Sequence, residues 1–196
     1  MTRVTGATTE TTQRMQVDSA AIYFNYGEPD EYPIGATQEG TTFTVEQTVR
    51  QVPIDGHRGP VRRARRVVEE MARITGGIME MTSDNLTRII TASTVTEHTA
   101  QGAGSATHRA VRRQSDLPDE ADYLTNVALV GRIQGSNQPI VIVLYNALSD
   151  GGLELETSDQ EEGTMTVQFT AHFDENDPDT SPWEVRYPID VDEVAS

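Results

Sequence analysis

Between Thr164 and Phe173 the chain alternates without interruption: Met165, Val167, Phe169, Ala171 and Phe173 are apolar, and Thr164, Thr166, Gln168, Thr170 and His172 between them are polar. Successive side chains of a strand point to opposite faces, so this pattern describes a strand buried on one side and wet on the other. Such strands belong to antiparallel sheets with one solvated face. The rest of the chain must therefore supply a second apolar layer and partners for the edges.

Several segments qualify. Ile22, Phe24 and Tyr26 share one side of an expected strand over 20–26, and Leu124 to Ile133 and Pro139 to Tyr145 flank the turn residues Gln134-Gly135-Ser136-Asn137, the pattern of a hairpin. Phe43, Val45, Gln47 and Val49 alternate with Thr44, Glu46, Thr48 and Arg50, after which Val52 and Ile54 change phase, consistent with a bulge near Arg50. Residues 61–81 are ambiguous between helix and strand, although Ala72, Ile74, Gly76 and Ile78 alternate over the second half. One helix is expected in MTSDNLTRIITAS, where Thr82 or Ser83 caps the start, Asp84 suits the first turn, and Leu86, Ile89 and Ile90 fall on one face. Two stretches lack periodicity: 1–17, expected as a mobile arm, and 95–121, expected as a long loop within a single 18–196 domain. The expected fold is thus mainly β, a sandwich or half-barrel of antiparallel strands with one flanking helix.

The charge narrows the function. The formal net charge is −16, and the basic residues are all arginine, with no lysine. Such a balance opposes wrapping a nucleic-acid backbone, which depends on cations displacing counterions, and favours solubility and repulsion of polyanions. It is also consistent with a high-salt environment, where a Debye length of about 3 Å at 1 M hides self-repulsion; a GC-rich genome would equally replace lysine by arginine. Without cysteine there are no disulfides or thiolate metal sites. The opening MTRVTGATTETTQRMQ has no apolar core of a signal peptide, and the longest apolar run, Ile140 to Tyr145, is too short to span a bilayer, so no membrane anchor is expected.

Reactive constellations are missing from the pattern. His57, His98, His108 and His172 fall in a turn, in polar loop positions and on a wet strand face, with no metal-ligand spacing. DENDPD at 174–179 opens like a calcium loop, but Asp179 stands where glycine is needed and Val185 where glutamate is needed, leaving a solvated acidic turn. No phosphate-binding glycine loop or nucleophile elbow occurs, so neither enzymatic activity nor a cofactor or metal is expected. The basic cluster VRRARR at 61–66 reads either as an anion patch or as the counter-charge of an interface in an acidic protein. Trp183, in SPWEVRYP between Pro182 and Pro188, is expected with Tyr187 to anchor the terminal segment.

Three segments carry a family likeness. AAIYFNYGEPDEYPIGATQEGTTFTVEQTVRQVPIDGHRG at 20–59, YNALSDGGLELETSD at 145–159 and VQFTAHFDENDPDTSPWEVRYP at 167–188 together resemble the major tail tube proteins of tailed viruses with long non-contractile tails. The lysine-free acidic variant is similar to those of viruses of salt-loving archaea. The resemblance implies a structural virion protein that self-associates in hexameric rings, rings that stack into a tube, other tail proteins at the tube ends, assembly in the host cytoplasm and passage of DNA without specific binding. Tail-completion rings and secretion-system tubes share that architecture; a monomeric virion sandwich binding a glycan is a further alternative. Under this reading the Gly-Pro loop at 27–41 (Gly27, Glu28, Pro29, Asp30, Pro33, Gly35, Gly40) is an inter-subunit contact. Arg109, Arg112, Arg113 and Asp116 meet the next ring, and Thr44, Glu46, Thr48, Thr164, Thr166 and Gln168 line an acidic or polar bore.

Overall fold

A computed structural model describes residues 6–8, 10–56, 58–59, 61–115, 117–157, 159 and 162–190. Strands dominate: β1 (Gln16–Phe24), β2 (Tyr32–Pro33), β3 (Thr37–Gln51), β4 (Arg65–Ile78), β5 (Ser93–His98), β6 (His108–Arg113), β7 (Leu124–Ile133), β8 (Pro139–Ser149), β9 (Glu154–Glu156), β10 (Thr164–Thr170) and β11 (Trp183–Arg186). Among the elements of the described residues, the helix α1 (Ser83–Ile89) lies between β4 and β5, and a 3-10 turn (Glu120–Asp122) precedes β7.

The main sheet runs β2-β1-β7-β8-β10-β4-β3, with β11 added to β8 and β9 to β10, and every pairing is antiparallel. It folds over on itself at β8. Residues 141–144 of β8 pair with β11 on one side and β7 on the other, whereas Leu148 and Ser149 pair with β10. Between them Asn146 adopts φ 47°, a left-handed conformation that asparagine tolerates better than most side chains and that suits a corner. The result is a half-barrel or sandwich, the mainly β architecture expected.

The apolar faces of the two layers meet inside. Ile22 and Phe24 of β1, Val127 of β7 and Leu144 of β8 face Ile74 and Ile78 of β4 and Met165, Val167 and Phe169 of β10, and each is at most 1% exposed. Phe24 and Phe169 pack edge to face at 5.4 Å, a favoured aromatic geometry. Gly76 of β4 allows this approach, because a Cβ there would sit 3.0 Å from Thr41 Cγ2 and 3.3 Å from Ile22 Cδ1. A smaller cluster of Ala128, Val141 and Val143, with Tyr26, Val130 and Tyr145 against it, makes β7 and β8 buried on both faces.

The helix begins where its cap predicts. Thr82 Oγ1 accepts from the Asn85 backbone N–H at 3.1 Å. Buried Asn85 in turn donates from Nδ2 to the Ile34 and Glu80 carbonyls at 2.8 and 2.9 Å, and Arg88 sits 5.4 Å from the ring centroids of both Phe24 and Tyr32.

Three sequence expectations change. The stretch 95–121 is not an irregular loop throughout: β5 and β6 form a separate two-stranded hairpin, with His98 opposite His108, so these two histidines are neighbours rather than scattered. The expected arm 1–17 gives its last two residues to β1, and 10–14 form a turn with Arg14 paired to Glu10 at 3.0 Å. Finally, the strand expected from Phe43 starts at Thr37, across a bulge in which Glu39 and Gly40 both have positive φ.

Candidate assembly surfaces

Beyond its core, the β10–β4–β3 layer presents a continuous outward wall. Register places Gln168 beside Thr75 and Thr42, and Thr170 beside Arg73 and Thr44. Thr42, Thr44, Glu46, Thr48 and Thr166 are exposed, Thr75, Thr164 and Gln168 are half-buried, and Thr170 is buried. Five of the six residues expected on the wet faces are threonine or glutamine, and the structure brings all six to one side of one layer. The wall is polar: Arg73 meets Glu46 at 3.3 Å, exposed Glu69 stands beside Thr48, and hydroxyls make up most of the rest. Most acids lie elsewhere, in β9 and in the exposed turns.

At the margin of this wall, β3 pairs with β4 alone among the described residues. Its 15 residues extend about 50 Å at ~3.4 Å per residue, and its outer edge is therefore open for that length. Sheet support ends before β4 does. Pairing with β10 covers Arg73 to Ile78, and Ala171 N–H still reaches the Ala72 carbonyl, but Arg65 to Met71 pair only with β3. The distal half is a two-stranded ribbon whose Val49, Val52, Ile54, Val67 and Val68 are 40–52% exposed. Its register shift lies between Thr48 and Val49, opposite Val68, close to the bulge expected near Arg50.

The base of the ribbon is tied down by the terminal segment. Trp183 Nε1 and Ser181 Oγ donate to Glu70 Oε1 at 2.8 and 2.9 Å, and Gln47 donates to the other oxygen. The bond from Trp183, opposed by burial and assisted by Gln47 and Ser181, holds the Glu70 carboxyl below its ordinary range. Trp183 also packs 5.7 Å from Phe43, and Pro182 and Pro188 are buried. Tyr187 is not a second anchor: it is 43% exposed, because β11 ends at Arg186 and the buried residue beyond it is Pro188.

The Gly-Pro loop is held first of all by its own chain. Ile34 is fully buried and its N–H bonds the Ile22 carbonyl, while Tyr32 and Pro33 pair with β1. Gly27 N–H donates to Glu31 Oε2 at 2.8 Å and Asn25 Nδ2 to Asp30 Oδ2 at 2.6 Å. Gly35, at φ 104°, lies where a Cβ would overlap the Glu80 carboxylate, which accepts from Ala36 N–H at 2.9 Å. Exposed in the loop as far as Pro33 are Gly27, the acidic corner Glu28-Pro29-Asp30-Glu31 and Pro33 itself; Gly40 belongs to the β3 bulge instead.

Arg109, Arg112 and Arg113 all lie on β6 and are exposed. Alternation puts Arg109 and Arg113 on one face and Arg112 on the other, and Arg109 Nη1 donates to Ser83 Oγ at the start of α1 at 3.1 Å. Asp116 and His57 lie outside the described residues. The acidic turn at 174–179 closes through its own bonds, with Asn176 N–H on Asp174 Oδ1 and Thr180 Oγ1 on Asp177 Oδ2, each at 2.8 Å.

No protein-family model and no curated protein sequence matches the chain. Among solved structures, a chain from the virion of a native gene transfer agent particle aligns at TM-score 0.44 and 10% identity, covering 86% of this chain and 96% of that one. A chain from the six-fold symmetrised baseplate of the anti-feeding prophage aligns at TM-score 0.39 and 12% identity, covering 78% and 88% respectively. At that level of overlap neither neighbour assigns a function to this chain.

Proposed function

We propose that this chain is a structural virion protein, a tail tube subunit whose copies close into rings, with six as the expected number, and stack into a tube for genome passage. The observation that carries this is the open 15-residue edge of β3 at the margin of a hydroxyl-rich wall. An unpaired edge of that length recruits another strand. A copy that added its own sheet there would continue the wall, and a rotation that closes head to tail gives a ring. With more than about 16 strands a barrel wall surrounds an aqueous channel, more than one copy of this half-barrel supplies. Threonine and glutamine offer DNA phosphates no fixed cation, so a duplex slides instead of binding. The exposed corner Glu28 to Glu31 and the β5–β6 hairpin are further contact surfaces in this arrangement.

Amide hydrogen exchange before and after assembly tests the edge. On assembly, exchange is expected to slow over residues 37–51 and to stay unchanged over β7, already enclosed by β1 and β8. Full protection of 37–51 in the dilute chain, or none gained on assembly, refutes the proposed closure.

A further inference from the structure

The ribbon has a chemistry of its own. Between residues 50 and 66 stand Arg50, Arg58, Arg62, Arg63, Arg65 and Arg66 against one acid, Asp55, in a chain whose net charge is −16. None of these arginines forms an ion pair or a side-chain hydrogen bond among the described residues. Interleaved with them are the exposed valines and Ile54. A two-stranded ribbon bare on both faces is marginal in water, so this one is built to be covered.

The chain also carries the complementary surface. From 133 to 185 it has eleven acids and no arginine or lysine. Within that span the edge strand β9 sets exposed apolar residues beside charges of the opposite sign: Leu153 and Leu155, 51% and 52% exposed, alternate with exposed Glu154 and Glu156. It pairs with β10 alone among the described residues, which leaves its other edge open.

Geometry forbids the two from meeting within one molecule. The strand β9 joins β10 at Thr164 to Thr166, and β10 meets β4 there at Gly77 and Ile78. Arg65, where β4 leaves the tip, is thirteen residues away along the strand, about 45 Å at ~3.4 Å per residue. Basic tip and acidic edge occupy opposite ends of the same layer. We infer that the Arg62–Arg66 tip of one copy seats on the β9 edge of a second copy, valines against leucines and guanidinium groups against carboxylates. Because the two surfaces differ and lie at opposite ends, the contact is heterologous and propagates along the layer, which is the geometry of stacking. This rests on the proposed self-assembly but not on the identity of what passes through the bore. Duplex DNA is a poorer fit for the tip, since the rest of the molecule repels polyanions.

A charge swap tests it. One variant carries R62E, R63E, R65E and R66E; the other carries E154R and E156R. All six positions are exposed, so circular dichroism of each is expected to match the wild type. In the lowest NaCl concentration at which wild type elongates, each variant alone is expected to lose elongated particles on the order of tenfold or more, as several ion pairs become repulsions. An equimolar mixture is expected to restore them, because each tip then meets an edge of opposite sign. Elongation by either variant alone, or a mixture no better than its components, overturns the inference and leaves ring closure through β3 standing. Retention of duplex DNA by wild type that the tip variant loses, with elongation intact, assigns the tip to nucleic acid instead. A wild-type chain that forms no oligomer in any salt overturns both proposals.

Discussion

Replacing Thr44, Thr48 and Thr166 with arginine is expected to convert assembled particles that release duplex DNA into particles that hold it. All three positions are exposed on the β10–β4–β3 wall, and Thr44 already stands beside Arg73 in register, so the substitutions disturb no buried contact. In the proposed tube, each copy then presents three new cations to the bore. A lining that engages 6–10 phosphates loses about 10³- to 10⁵-fold in affinity between 50 and 200 mM salt, because every neutralised phosphate releases counterions. Co-sedimentation of assembled particles with linear duplex DNA across that salt range reads the effect. Wild type is expected to leave the DNA in the supernatant throughout; the variant is expected to carry it down at low salt and release it steeply as salt rises. Retention by wild type, or none by an assembled variant, removes the wall from the bore.

The second large effect concerns the fold alone. Phe169→Ala is expected to lower the unfolding free energy by about 3–5 kcal/mol, the range for truncating a fully enclosed aromatic ring. Phe169 is 0% exposed, lies in a strand paired on both sides at that point, with Ile74 of β4 and Ser149 of β8, and meets Phe24 of the opposite layer. Urea unfolding in the salt that best stabilises the wild type measures it as a lower midpoint at unchanged slope. A loss under about 1 kcal/mol would mean that Phe169 does not lie between two packed layers.

Where one face of a strand is buried, the alternation of the sequence announces it, and β10 was legible for that reason; β7 and the first part of β8, buried on both faces, were legible as apolar runs flanking the turn residues Gln134 to Asn137. The helix was legible from its cap, since Thr82 satisfies an orphan amide by chemistry local to the sequence. Other strands carried no such signal. The start of β3 was hidden because the bulge at Glu39 and Gly40 breaks the period just before Phe43. The first half of β4 was ambiguous because neither face of the ribbon is buried, so Arg65 to Glu69 show no periodicity. The β5–β6 hairpin was hidden likewise, although Thr94-Val95-Thr96 facing Ala110-Val111-Arg112 is β-favouring composition that could have revealed it. Partnerships across long separations were beyond reach: Trp183 reads as an anchor, but Glu70, 113 residues away, cannot be read from it.

The wall and the open edge follow the same division. Thr44, Glu46, Thr48, Thr164, Thr166 and Gln168 could be read as wet faces of their own strands, but only the insertion of β4 between β3 and β10 places them on one surface. The basic cluster at 61–66 was visible as a charge run; its projection on an unsupported ribbon, far from the acidic edge it matches, became visible only with the topology.

Electron microscopy of the purified chain in molar NaCl tests the central claim most directly, that edges left open in one copy are completed by others around a hollow bore. Rings with a stain-filled centre, joining end to end into tubes as concentration rises, are the result expected. A compact single molecule that persists at high concentration in those conditions contradicts it.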